Sequence, residues 1–168
     1  MLRRIFGTSS TSSTTRSVAP YSASNPPTYV YKIYPSPSSN PRYAFQVPVP
    51  ASHQFVLDPL DAKDGFVHLS TAPQLLPVLS RFFSTSESIV LVKIDYARLS
   101  GFKVVKWEKD GGSVDGEGGQ EYPHLYRYLE GEYVDSSKEI KRAEGEEGEK
   151  GGWEKALRDQ EELGWLEC

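Results

Sequence analysis

The alternation of apolar and polar positions begins at "TYVYKIY", residues 28–34, where tyrosines and β-branched residues fall at every second position, and it predicts a strand. "PSPSSNPRYAFQVPVP" follows, and its five prolines rule out a regular element, so it reads as a long loop or insertion. From Gly65 to Ser70 the period of two returns, with Phe66, His68 and Ser70 on one face and Val67 and Leu69 on the other. Thr71 then meets Gln74 at capping-box spacing with Pro73 inside the first turn, which predicts a helix start. Leu75, Val78, Leu79, Phe82 and Phe83 recur at helical spacing, so a helix from about Ala72 to Phe83 buries one stripe. "SIVLVKID", 88–95, is a nearly continuous β-branched run and predicts a buried strand, with "FKVVKWE", 102–108, as its shorter companion. "YPHLYRYLEGEYV", 122–134, alternates again and, if extended, places His124, Tyr126 and Tyr128 on one side.

Between and beyond these stretches the pattern fades. "DGGSVDGEGGQ", 110–120, holds five glycines and no large apolar residue and is expected to be a mobile loop. "KEIKRAEGEEGEKGG", 138–152, is too charged to bury a core and reads as solvated linker. "WEKALRDQEELGWL", 153–166, predicts a short helix that docks through Trp153, Ala156, Leu157 and Leu163. The first 27 residues are rich in Ser, Thr and Arg and lack carboxylates. That profile fits a mitochondrial transit peptide and equally a disordered tail, since "TSSTSSTT" is a run of poor helix formers. The expected organisation is therefore a basic tail or transit peptide at 1–27, a core domain at 28–135, a charged linker at 136–152 and a C-terminal helical extension at 153–168. At 168 residues one core is the expectation.

Composition narrows the function classes. No apolar stretch approaches the roughly 20 residues of a membrane-spanning helix, so no membrane association is expected. The single cysteine, Cys168, forms no intrachain disulfide and excludes Cys-rich metal sites, which favours a reducing, cytoplasmic setting unless the N-terminus directs the chain to mitochondria. Residues 1–57 carry five basic residues and no acid, so the net charge of −4 hides a distinctly acidic remainder. Acidic surfaces repel phosphate backbones, and nucleic acid is not an expected partner.

The chain has three histidines. His53 lies in the Pro-rich approach and reads as an ordinary loop residue. His68 and His124 sit among apolar and aromatic residues, where an imidazole needs a hydrogen-bond partner, either as a structural group or as part of a site. Two histidines with Glu108 lack the short-range ligand pairs of a convincing metal motif, and Ser70 lacks a nucleophile elbow such as G-x-S-x-G. No metal is expected. Asp64 and Gly65 have a simpler explanation as turn residues, and Trp107, opposite Glu108 on its strand, as core.

"YKI", "DGFVHLSTAPQL", "KWE" and "YPHLY" occur in this order in the chain, and together they resemble the family known as domain of unknown function 952 (DUF952). The likeness runs from about Tyr29 to Val134. The N-terminal extension, the stretch from 35 to 50 and the acidic C-terminal tail depart from it. The resemblance implies an α+β fold, compact and similar to the ADP-ribosyltransferase superfamily, with two small sheets around a cleft and few helices, and it makes a nucleotide or NAD-like small molecule the implied ligand. In such a cleft His68 would contact a ribose, Ser70 a second polar group, and Tyr126 would stack on a ring. His124 would be an alternative anchor or acid, with Gln74 as a further ligand contact. Glu108 is the available carboxylate, though a surface charge beside Lys106 explains it too. Two functions stand at this point: an enzyme that transfers or hydrolyses an ADP-ribosyl or related ribosyl-phosphate group, and a non-catalytic small-ligand-binding module. A carboxylate within reach of His68 separates them, since the enzyme needs one.

Overall fold

The apolar run at 88–95 forms β3 (Ser88–Asp95), the central strand of a three-stranded antiparallel sheet with β1 (Tyr29–Pro35) and β6 (Val134–Lys141) at its edges. This computed structural model describes residues 19–109, 119–144 and 152–167. Ile33 pairs with Leu91, and Ile89 with Ile140; the β3–β6 register shifts between Lys93 and Ile94. A second antiparallel sheet orders β2 (Val67–His68), β5 (Glu121–Tyr126) and β4 (Val104–Lys109). The fold is α+β, with helices α1 (Pro59–Asp64), α2 (Ala72–Phe82), α3 (Tyr96–Phe102) and α4 (Trp153–Glu162).

Strand alternation divides the interior into two apolar clusters, one on each face of the first sheet. Val30, Tyr34, Val90, Val92 and Ile94 face the second sheet, where Val67, Leu69 and Leu125 meet them. The Pro-rich segment joins this cluster through Tyr43 and Phe55, whose rings lie 5.5 and 5.8 Å from that of Tyr34. Tyr31, Ile33, Ile89, Leu91 and Ile140 face the other way, against Leu75 and Leu79 of α2 and Trp153, Ala156 and Leu157 of α4.

The two sheets are stitched by residues 67–70. Pro123 on β5 accepts from the Leu69 amide at 3.0 Å but has no N–H to return. The ladder ends there, and the chain crosses to the first sheet, where Ser70 and Tyr31 exchange both backbone hydrogen bonds at 2.8 and 2.9 Å.

Several expectations need correction. The strand at 104–109 pairs with β5 and not with 88–95, because α3 intervenes, started by the Asp95 carboxylate accepting from the Arg98 amide. α1 was not anticipated, although Asp58 caps its start, Pro59 begins it, and Gly65 at φ 81° ends it. The linker reading of 136–152 fails for its first part, since β6 runs to Lys141 and Ala143 bridges to Gly152. An edge strand needs only backbone pairing and one buried side chain, here Ile140. The C-terminal helix accordingly belongs to the main core. On α2 the buried stripe excludes Phe82, which is exposed beneath Arg81, and on the C-terminal segment Leu166 is buried in place of Leu163. The alternation at 122–134 stops at Tyr126, where Arg127 turns the chain at φ 121°. Of the tail or transit peptide expected at 1–27, residues 1–18 lie outside the described residues, as do most of the glycine-rich loop (110–118) and the acidic stretch 145–151; residues 19–27 are described, with a Ser22–Asn25 bridge and Pro27 buried. No helix among the described residues is long and apolar enough to cross a membrane.

Candidate functional site

His68 and His124 stand directly opposite each other across the β2–β5 pair. The Leu69–Pro123 bond fixes the ladder phase, so His68 and His124 form the pair without mutual backbone bonds, the position where facing side chains come closest. Their ring centroids lie 5.3 Å apart. Antiparallel pairing also places Lys106 opposite His124 and Glu108 opposite Tyr122, so His68, His124, Tyr126, Lys106 and Glu108 share the outer face of the second sheet. Val67, Leu125, Val105 and Trp107 point inward, and Trp107 donates through Nε1 to the Tyr96 hydroxyl at 2.9 Å.

The His68 amide, unused by β5, donates to Asp61 Oδ1 at 3.0 Å, and the same oxygen lies 2.7 Å from His68 Nδ1. The other oxygen, Oδ2, accepts from Lys32 Nζ at 2.6 Å, and Lys32 also donates to Asp58 at 2.7 Å. Asp61 is fully buried and Lys32 nearly so. Burial alone pushes the Asp61 carboxyl up. The hydrogen bond from the His68 ring, the Lys32 charge and the His68 amide outweigh burial and hold it below the usual carboxylate range. Asp61 is thus a buried orienting group behind the His68 ring with both oxygens taken, and is not a carboxylate open to a substrate as the enzyme reading needs. Asp64 adds a second carboxylate, 3.2 Å from His68 Nε2 at the exposed edge.

His124 has its own carboxylate. Its Nδ1 lies 2.9 Å from Glu108 Oε2, and the Tyr126 hydroxyl donates to both Glu108 oxygens at 2.8 and 3.1 Å. The hydrogen bonds from His124 and then Tyr126 lower the Glu108 carboxyl, and in turn the bond to Glu108 raises the Tyr126 phenol. Lys106 lies over the Tyr126 ring at 4.5 Å. Phe66 covers the group: its ring stacks on His124 at 4.1 Å and approaches His68 at 4.7 Å and Tyr126 at 5.4 Å. As a result the His124 side chain is only 8% exposed, against 31% for His68.

Four of the six residues singled out in the sequence, His68, Glu108, His124 and Tyr126, thus come together. Ser70 and Gln74 do not join them. Ser70 is buried on the bridge to β1, and Gln74 uses its carbonyl to accept from the Thr71 amide at 2.9 Å and its amide to donate to the Glu121 carbonyl at 2.7 Å. His53 packs edge-on against Phe55 at 4.6 Å in the first cluster. A cleft of about 200 Å³ adjoins the histidine face and shares Phe66 and Asp61 with it; Gly65, Arg127 and Tyr128 complete its mouth. The expectation of one concavity lined by His68, Ser70, His124 and Tyr126 is replaced by a histidine face with a cleft beside it. Among the described residues no three His, Cys, Asp or Glu side chains gather as a metal site.

Lys32, Asp61 and Phe66 were missing from the sequence-based site. Their signals were present: Lys32 lies on a strand face otherwise occupied by Val30 and Tyr34, where a lone lysine demands a buried partner. Asp58 and Asp61 are spaced three apart before a glycine stop, which marks a short capped helix.

The sequence model of the family described as "Protein of unknown function (DUF952)" matches residues 48–137. No curated protein matches the chain. The crystal structure of protein CC0527 from Caulobacter crescentus is similar in fold at a TM-score of 0.54 and 24% identity, covering 78% of this chain and 99% of that one. A crystal structure of a double mutant of CC0527 gives the same TM-score and coverage at 23% identity.

Proposed function

Since the chain belongs to the DUF952 family, proteins of unknown function, its chemistry rests on its own side chains, and we propose that the outer face of β2 and β5 binds a small molecule through His68, with a nucleotide or NAD-like compound as the ligand class. The observation that carries this reading is the buried Lys32–Asp61 pair behind His68. Burying two charges is costly, and replacing such a pair with apolar groups is often neutral or stabilising. An ion pair kept behind a ring that is 31% exposed is placed where it orients that ring. With Nδ1 turned inward to the Asp61 carboxylate, Nε2 is the outward nitrogen, beside Asp64 at 3.2 Å, and is the one offered to a ligand. The nucleotide class follows from the motif resemblance and from the aromatic rings of Phe66 and Tyr126 beside the histidines, which suit a planar group.

A second reading, transfer or hydrolysis of an ADP-ribosyl group, is favoured by the Glu108 carboxylate, held ionised by His124 and Tyr126 on the same face. In hydrolysis the C1′–N bond breaks with its electron pair leaving on nicotinamide. Glu108 offsets the positive charge at C1′, the oxygen of water bonds to C1′, and the proton of that water passes to Glu108.

Thermal-shift titration of the full chain with NAD, ADP-ribose and AMP tests the binding reading, because a ligand for the native state raises Tm with its concentration. His68→Gln, which keeps a donor toward Asp61, is expected to weaken binding about tenfold or more, roughly 1.4 kcal/mol. Absence of any shift, or a variant that titrates as wild type, sinks the proposal. Release of free nicotinamide from NAD, abolished in Glu108→Gln, separates the enzyme from the binding module.

A further inference from the structure

The 200 Å³ cleft beside the histidine face is smaller than the pockets of roughly 300 to 1,000 Å³ that enclose whole ligands, so it is sized for one part of a molecule. Its charged lining is Asp61 and Arg127. Asp61 turns both oxygens inward, to Lys32 and His68, and takes no part in holding Arg127. Arg127 is exposed at the mouth and has no ion pair or hydrogen bond with a described side chain. Its backbone sits at φ 121°, the sole non-glycine positive φ among the described residues. Glycine would adopt that conformation without penalty, so an arginine there is held in place against local preference. Phe66 and Tyr128 flank the cleft with aromatic surface, and Phe66 is also the ring that stacks on His124, which makes cleft and histidine face adjacent parts of one surface.

We propose that Arg127 makes this cleft an anion subsite that takes the phosphoryl end of the ligand whose remainder lies against His68. The inference deepens the binding reading above and rests on it. A guanidinium presents paired N–H donors in a planar fork that matches two phosphoryl oxygens, and an arginine paired with no described side chain is available for it. The turn after β5 sets the side chain at the cleft mouth, so the strained φ is the consequence of placing an arginine where the chain must reverse. Asp58, Asp61 and Asp64 on or beside α1 outnumber its one cation, Lys63, so the surroundings are net acidic and affinity for phosphate rests chiefly on this forked contact.

Calorimetric titration of the full chain with inorganic pyrophosphate tests the subsite apart from the nucleotide reading. Wild type is expected to bind, Arg127→Gly to bind at least tenfold more weakly while its Tm rises, and Arg127→Lys to fall between, since it keeps the charge and loses the fork. His68→Gln is expected to alter pyrophosphate affinity far less than it alters NAD affinity. Wild type that does not bind pyrophosphate, Arg127→Gly that binds it equally, or Arg127→Gly with a lowered Tm each overturn the subsite. The NAD titration of His68→Gln decides the binding reading independently of all three.

Discussion

Lys32 and Asp61 are buried with their charges 2.6 Å apart, and the cost of separating them sets the sharpest test at the residue scale. Asp61→Asn removes one of the two carboxylates that hold Lys32 and leaves Asp58 at 2.7 Å, so the loss falls short of that for an uncompensated buried charge and is expected on the order of 1 to 3 kcal/mol in urea denaturation at neutral pH. The pH dependence has a definite sign. The Asp61 carboxyl is lower in the folded chain than in the unfolded one, so its contribution is full above the unfolded value of about 3.9 and is lost as pH falls through the folded value. Wild type should therefore lose stability more steeply than Asp61→Asn as pH is taken below about 4. Parallel losses would assign the titration to another group. His68 and His124 were legible in the sequence because strand alternation alone separates Val67 and Leu69 from them. Asp61 was not, because its partners, Lys32 and His68, are brought to it by the crossing of chain segments 29 and 7 residues apart, which no local period records.

Among elements, legibility followed the number of apolar side chains that each one buries. β1 and β3 present rows of Tyr, Ile, Val or Leu to both clusters and α2 a row of Leu to the second, and their ranges follow from the sequence to within a residue or so. β6 buries little besides Ile140, so its second half reads as linker, and α3 buries little besides Tyr96 and Leu99, so residues 96–101 carry no readable period. α4 carries the reverse lesson. It is strongly charged, yet Trp153, Ala156 and Leu157 fill the groove over Leu75 and Leu79, and Trp153 Nε1 donates to the Phe83 carbonyl at 2.9 Å. Trp153→Ala is expected to cost about 3 to 5 kcal/mol, as large buried aromatics do. Leu163→Ala, on an exposed side chain, should stay within about 0.5 kcal/mol. Equal effects from the two in chemical denaturation would mean that the C-terminal helix docks by another face.

At the scale of the whole molecule, the first sheet is an inner layer between α2 and α4 on one side and the second sheet on the other. The histidine face is thus the outer surface of the second sheet, and its geometry depends on how firmly that sheet is tied to the first. Three ties are visible: the Ser70–Tyr31 bridge, the Lys32–Asp61–His68 chain, and the burial of Leu69 and Leu125 against Val90 and Val92. Each crosses between layers, so separating the layers would strand buried backbone groups, charges and apolar surface together. The molecule should therefore unfold in one cooperative step. Tryptophans report the layers separately, since Trp107 belongs to the second sheet and Trp153 and Trp165 to the helical side. In Trp107→Phe, and in a Trp153→Phe/Trp165→Phe double variant, fluorescence and far-UV circular dichroism should give coincident urea midpoints within each protein. A fluorescence transition that precedes the dichroism when only Trp107 remains would show that the second sheet loosens first. His68 would then lose its fixed orientation under mild conditions, and ligand affinity should fall at the urea concentration of that first step.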